Sequence, residues 1–326
     1  MIYIDSPSLD STFHFALEVY LMEELNISDS YFLFWRTRPT LMIGRYQNTL
    51  EEINTAYVRD KGIDVVRRVS GGGTIYTDTE GWQFSFIQKN REPSAIEFKT
   101  YTAPILEALA ELGVTASLSG RNDLLIGERK FSGNAQYNSA RCTLHHGSIL
   151  YNTNIEEMVK SLTVSDEKII SKSIKSIRQR VTNVMEHMPE KLSSLGFKEV
   201  MLKHLLKGGE GIYALTPKDV ERVEAIAGAR FRTWEWNYGK SPRFEIIKGK
   251  RLNGGRVEFR MNVREGLIEE CSIYGDFFGN GDVDGLANAL IGCPYREDAI
   301  RRVLVSLDAD KLFFRISLEE LLSAIL

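Results

Sequence analysis

Apolar residues recur along this chain with two different periods, and the switches between them mark out its elements. Over residues 8–25, Leu9, Phe13, Leu17, Tyr20 and Leu21 fall at helical spacing behind a Ser/Asp start. Residues 31–35 and 40–44 are short, continuous apolar runs joined at Pro39 and read as buried strands. Val65-Val66 and Ile75-Tyr76 read as strand ends on either side of Gly71-Gly72-Gly73, and 82–87 alternates as a further strand. Ile105, Leu109 and Leu112 are in phase, which predicts a helix over 102–112 closed by Gly113. Three short strands are expected at 123–126, 130–135 and 143–151, then helices at 197–207 and 217–227. Residues 256–263 and 267–274 flank Arg264-Glu265-Gly266 as a hairpin, and helical patterns at 283–291, 297–307 and 318–325 finish the sequence.

This order is a mixed α/β (α+β) layout without the regular βαβ alternation of a doubly wound sheet. At 326 residues two domains are expected. The aromatic hinge Trp234-Glu235-Trp236-Asn237-Tyr238-Gly239-Lys240-Ser241-Pro242 divides them into 1–245 and a small 246–326. Apolar content of 43% supports a full core, while a net charge of −3 argues against broad nucleic-acid binding. Cys142, Cys271 and Cys293 form no metal-type spacing, which fits a reducing compartment. The start of the chain lacks a signal-peptide pattern, and no apolar run reaches the ~20 residues of a membrane span. A soluble cytoplasmic protein without membrane or nucleic-acid partners is the expectation.

Candidate chemistry concentrates in four stretches. Arg67-Arg68-Val69-Ser70-Gly71-Gly72-Gly73 places guanidinium groups and a hydroxyl at a turn whose backbone lacks Cβ atoms, which suits carboxylate or phosphate oxygens. A plain hairpin turn is the bland alternative. Asp123 and Lys130 fall at the ends of neighbouring strands, the former a plausible Mg²⁺ ligand and the latter flanked by small residues Ser132 and Gly133. In His145-His146-Gly147-Ser148 the two imidazoles point to opposite strand faces, so one is expected near a ligand and the other in packing. The basic run 165–182 (Lys168, Lys172, Lys175, Arg178, Arg180) reads by composition as a solvated face.

Taken in order, RRVSGGGTIYTD, GRNDLLIG–ERKFSGNAQ, HHGSIL and SIKSIRQRVTN resemble the successive motifs of the lipoate–protein ligases. The match runs from about residue 30 to 245, and the hinge with the final segment resembles the long, two-domain form. The resemblance implies the mixed sheet with flanking helices of the biotin/lipoate ligase type, plus a small C-terminal α/β domain. It implies that ATP and Mg²⁺ activate lipoate (or octanoate) to an acyl-AMP. The acyl group then passes to a lysine of lipoyl domains, on 2-oxoacid dehydrogenase E2 subunits or the glycine-cleavage H protein. By motif position, Arg68, Gly73, Thr74, Ile75, Tyr76, Lys130 and Arg178 would contact the adenylate. Lys130, Trp35, Arg67, Gly72 and His146 would contact lipoate, Lys130 would be catalytic, and Asp123 would bind the metal.

Two departures stand out: Thr77 replaces the family's usual His before Asp78, and Phe131 follows the lysine in place of a smaller aliphatic. The alternative reading is an ATP-independent lipoyl or octanoyl transferase of related fold with Cys142 as nucleophile. Biotin ligation lacks its basic Gly-rich signature here, and a non-catalytic carrier-binding module is the remaining reading.

Overall fold

Both faces of the central strands are apolar because both are covered. In the run Tyr31-Phe32-Leu33-Phe34-Trp35, alternate residues enter two different cores, which is why the sequence shows no period-two polarity there. The computed structural model describes residues 1–47, 49–89, 95–120, 122–162, 177, 179–207, 211–238, 246–264 and 266–326. The Gly239–Pro242 part of the expected hinge, Arg121 and most of the basic run, Lys168, Lys172, Lys175 and Arg178 included, lie outside the described residues.

The strands are β1 (Ile2–Asp5), β2 (Ser30–Trp35), β3 (Thr40–Ile43), β4 (Asp64–Arg67), β5 (Ile75–Thr77), β6 (Trp82–Lys89) and β7 (Ser117–Ser119). They continue with β8 (Asp123–Ile126), β9 (Arg129–Asn138), β10 (Cys142–Ile149), β11 (Gly211–Ala214), β12 (Ile246–Leu252), β13 (Gly255–Arg264) and β14 (Leu267–Gly275). Eight of them form one sheet in the order β11-β1-β2-β6-β10-β9-β8-β7. β1 runs parallel to β11 and β2, and every other pairing in it is antiparallel, so the sheet is mixed. A small sheet β4-β3-β5 stands beside it and carries the glycine-rich turn between β4 and β5. This is the mixed α/β arrangement expected from the sequence.

Helix Ser11–Glu23 starts at Asp10, whose carboxylate accepts from Thr12 N, and is buried almost all round. It packs in the core that holds Tyr31, Leu33, Trp35, Met42 and Leu144. Helices Lys99–Glu111 and Ser194–Leu205 cover the opposite face, against Phe32, Phe34, Phe84 and Phe86. The C-terminal strands β12-β13-β14 are antiparallel and share a separate core with helices Val283–Leu290, Glu297–Ser306 and Leu318–Ile325. Tyr46 enters that core from the first part of the chain and stacks on Phe277, ring centres 4.5 Å apart.

Most expected elements are present within a few residues of their expected ends. Four strands are additions: β1, β7 and β11, which are too short to show a period, and β12, whose Lys-Gly-Lys-Arg centre carries no apolar pattern. The start of the hinge is a short helix, Trp234–Asn237, capped by Thr233. Among the described residues no helix is long and apolar enough to cross a membrane.

Candidate active site

Cross-strand register builds the floor of a cavity on the face that helix Ser11–Glu23 covers. Gln83 of β6 lies between Trp35 and Ser148, and His146 of β10 lies between Ser85 and Ala135. Phe15, Trp35, Met42 and Ile75 give this cavity of about 110 Å³ its apolar wall, while Lys130, Asn122, Gln83 and Ser148 give it a polar one. Gly72, Gly73 and Thr74 of the turn close it from the side, and Arg68 and His146 also reach its surface.

Arg68 is 5% exposed and braces the turn from within. Its Nη1 donates to Met42 O, its Nη2 to Gly71 O and Gly73 O, each at 2.8 Å, and its Nε to Ser70 Oγ at 3.2 Å. Burial pulls its pKa down to about 10, which leaves it a cation at neutral pH. Gly72 has φ = +92°, a conformation that favours glycine, and its N–H donates to Phe277 O of the C-terminal segment at 3.0 Å. A Cβ on Gly71 would fall 2.2 Å from the same carbonyl, so the turn takes that contact only without side chains.

Arg67 needs a correction. The sequence places it beside lipoate, but its guanidinium points away from the cavity and is spent on the chain itself. It donates to Gly44 O, Arg45 O, Gln47 O, Trp236 O and Thr49 Oγ1. Consecutive strand residues face opposite ways, so only one of the two arginines could serve the turn. The Tyr76 ring is buried with Leu41, Ile43, Ile53 and Val58 and does not line the cavity.

Lys130 and Asp123 meet at the cavity mouth, Nζ to Oδ1 2.7 Å, with both side chains a little over one-third exposed. The Asp123 end of β8 is fastened to β9 by Asn122 Nδ2 to Asn134 O (2.7 Å) and Asn134 N to Asn122 O (3.0 Å). Lys130 O accepts from Thr182 N at 2.9 Å, which ties the end of the basic run to the lysine strand. Among the described residues no group of three or more His, Cys, Asp or Glu could hold a metal. Asp123 belongs to no such group, and so small a donor set suits Mg²⁺ only when substrate oxygens complete its shell.

The two histidines divide as strand alternation predicts. His146 faces the cavity, whereas His145 is fully buried, stacked on Tyr101 with ring centres 4.9 Å apart, and desolvation holds its pKa well down. Cys142 is buried, donates to Met22 O at 3.2 Å and does not line the cavity. Burial raises its thiol pKa, the opposite of an activated nucleophile. Two residues outside every motif also belong to the site. Glu18 is wholly buried against His146, and Gln83 donates to Thr77 Oγ1 at 2.7 Å while its Oε1 is a buried acceptor without a partner among the described residues. Strand alternation on β6 places Gln83 with Ser85, but no residue pattern marks either as polar floor.

Residues 10–206 match the family model of the lipoyl protein ligase A/B catalytic domain, and 241–325 match that of the bacterial lipoate protein ligase C-terminus. The chain belongs to the lipoate–protein ligase family. The lipoate-protein ligase LplJ of Bacillus subtilis is 41% identical across the full length of both chains. Lipoate–protein ligase 1 of Staphylococcus aureus is 40% identical over 96% of each. A P. falciparum protein solved in complex with lipoate has the same fold, with TM-score 0.77 and 22% identity over 95% of this chain and 98% of that one. A lipoate-protein ligase A solved with ATP gives TM-score 0.61 and 21% identity over 73% and 98%. The lipoate–protein ligase fold thus accounts for both the sheet and the C-terminal segment.

Proposed function

We propose that the chain is an ATP-dependent lipoate–protein ligase, in which Lys130 serves both half-reactions. The supporting observation is that the cavity joins an apolar wall (Phe15, Trp35, Met42, Ile75) to a glycine-rich turn, with the Lys130 ammonium between them at the mouth. An apolar tail with one anionic end fits that polarity.

In the first half-reaction a lipoate carboxylate oxygen bonds to the α-phosphorus of ATP, and pyrophosphate leaves with the electron pair of the broken P–O bond. Two anions must approach, so a cation has to screen them, and Lys130 lies where it can do so. Gly73, Thr74 and Ile75 offer backbone to the nucleotide, and Arg68 keeps that backbone in place. Asp123 would hold Mg²⁺ together with phosphate oxygens, and the ion would screen charge there. In the second half-reaction the neutral ε-amine of an acceptor lysine bonds to the acyl carbon, AMP departs, and the amine loses a proton. Lys130 stabilises the oxyanion of that step.

Lipoyl domains, including those of E2 subunits, and the glycine-cleavage H protein are the acceptors on this reading, and Arg178 belongs to the segment that closes on the adenylate. We place the domain boundary at 245/246. Three buried free thiols suit a reducing, cytoplasmic setting. Mass spectrometry of a purified lipoyl domain incubated with the protein, ATP, Mg²⁺ and lipoate tests the proposal. A lipoyl mass gain that requires ATP supports it; a gain independent of ATP and abolished in Cys142→Ala would restore the transferase reading.

A further inference from the structure

Beneath the cavity runs a line of buried hydrogen bonds that no sequence motif contains. Trp35 Nε1 donates to Ser85 Oγ at 3.0 Å, and Ser85 Oγ donates to Glu18 Oε1 at 2.6 Å. Glu18 lies 3.1 and 3.3 Å from His146 Nδ1, and His146 Nε2 lies 2.5 Å from Ser70 Oγ. Ser70 Oγ accepts from Arg68 Nε at 3.2 Å. Glu18 and Ser85 are wholly buried, Ser70 is 1% exposed and His146 7%.

With Glu18 ionised and the imidazole neutral, the donors and acceptors run in one direction. A carboxylate only accepts, so His146 Nδ1 carries a proton toward Glu18. Arg68 only donates, so the Ser70 hydroxyl receives from it and passes its own proton to His146 Nε2. Two lines of donors therefore converge on Glu18, one from Trp35 and one from Arg68. The buried guanidinium and the buried carboxylate balance each other through Ser70 and His146.

Serine, histidine and acid in this order resemble a nucleophile with its base. Ser70 does not line the cavity, however, and Arg68 already occupies its oxygen. The relay runs toward the arginine. Arg68 in turn holds the carbonyls of Gly71 and Gly73, and each shares a planar peptide unit with the next residue's N–H, so Arg68 sets where Gly72 N–H, which meets Phe277 O, and Thr74 N–H point.

We infer that Glu18, His146 and Ser70 are positioning residues for the nucleotide: they hold Arg68, and through it the Gly71–Gly73 turn, in the form that receives ATP. This rests on the ligase reading for the identity of the ligand at the turn. Because His146 is also part of the cavity wall, the same residue supports both substrates while acting on the nucleotide through Ser70 and Arg68.

The test compares Ser70→Ala, Ser70→Thr and Glu18→Gln in the full chain. Affinity for a non-hydrolysable ATP analogue with Mg²⁺ is measured by calorimetry, and KM for ATP and for lipoate by lipoate-dependent ATP–pyrophosphate exchange. Loss of one hydrogen bond to a charged group predicts an ATP-analogue Kd and ATP KM raised about tenfold in Ser70→Ala. Lipoate KM should move less than about threefold on the same scale. Ser70→Thr, which keeps the hydroxyl, should restore ATP affinity, and Glu18→Gln should shift the ATP parameter in the same direction as Ser70→Ala. Wild-type ATP affinity in Ser70→Ala overturns the inference. So does an equal loss for ATP and lipoate in both Ser70 variants, the mark of a merely structural role. A wild-type chain that binds the analogue but performs no exchange refutes the ligase reading and leaves the calorimetric comparison decisive for the relay. A wild-type chain that binds no nucleotide overturns both.

Discussion

Lys130 Nζ and Asp123 Oδ1 stand 2.7 Å apart at the mouth of the cavity, so the cation there is already held by a carboxylate of the chain. On the ligase reading, an incoming acid takes over that partner role. Both side chains are more than one-third exposed, so solvent screens the pair and the exchange is inexpensive.

Lys130→Ala should therefore cost chemistry and little stability. Loss of one oxyanion-type donor predicts a fall in kcat of about 10²–10³ for adenylate formation. Lipoate-dependent ATP–pyrophosphate exchange reads this directly, and near-normal turnover would remove Lys130 from the mechanism.

Asp123→Asn leaves Lys130 in place but removes the carboxylate that would meet the metal. The expected outcome is a Mg²⁺ requirement shifted upward by about tenfold or more, with lipoate affinity unchanged or better. Titration of the exchange rate against Mg²⁺ checks it; an unchanged midpoint would assign the ion elsewhere.

Arg67→Lys should lower stability without touching the acyl site. A lysine cannot satisfy the carbonyls of Gly44, Arg45, Gln47 and Trp236 together, and stranding buried acceptors predicts a loss of about 3 kcal/mol. Urea unfolding should show that loss while the lipoate Kd stays within about twofold. A large change in Kd with normal unfolding would return Arg67 to the binding site.

His14 makes the fold sensitive to mild acid. Desolvation lowers its pKa to about 4, against the opposing pull of Ser8 O and the Glu18 and Asp10 charges. As pH falls through 6.5 the unfolded chain takes up a proton that the folded chain refuses, so stability drops until about pH 4. The full swing is about 3 kcal/mol, with His145 acting in the same direction. His14→Phe keeps the 4.4 Å stack on Trp35 and should flatten the dependence of unfolding free energy on pH across that window. An unchanged slope would mean that other groups set it.

The sequence made the site's outline readable wherever one residue type performs one physical task. Glycines at a forced turn, a lysine shortly before Ser132 and Gly133, and two histidines on alternating faces all stand at or beside the cavity or its turn. Arg67 and Arg68 were less readable, because composition cannot say which of two adjacent guanidinium groups turns inward; the carbonyls of Gly44, Arg45, Gln47, Trp236 and Asn237 that capture Arg67 decide it. Glu18 was hidden for a different reason. A lone carboxylate at helical spacing normally faces water, and its burial depends on His146, which lies 128 positions away. Strands β1 and β11 were equally silent, since four-residue segments carry too little pattern to separate strand from loop.

Glu18 also bears, on the ligase reading, on the kind of molecule the cavity accepts. Its carboxyl group lies wholly buried beneath the apolar wall, hydrogen-bonded to Ser85 and His146 and shielded from solvent. On the ligase reading, a fatty acid carrying charge only at its head meets Lys130 and leaves those bonds intact. A diacid of similar length would bring its second carboxylate toward Glu18 with little water to soften the repulsion. On the ligase reading, a diacid is therefore expected to bind more weakly than a monoacid of the same length.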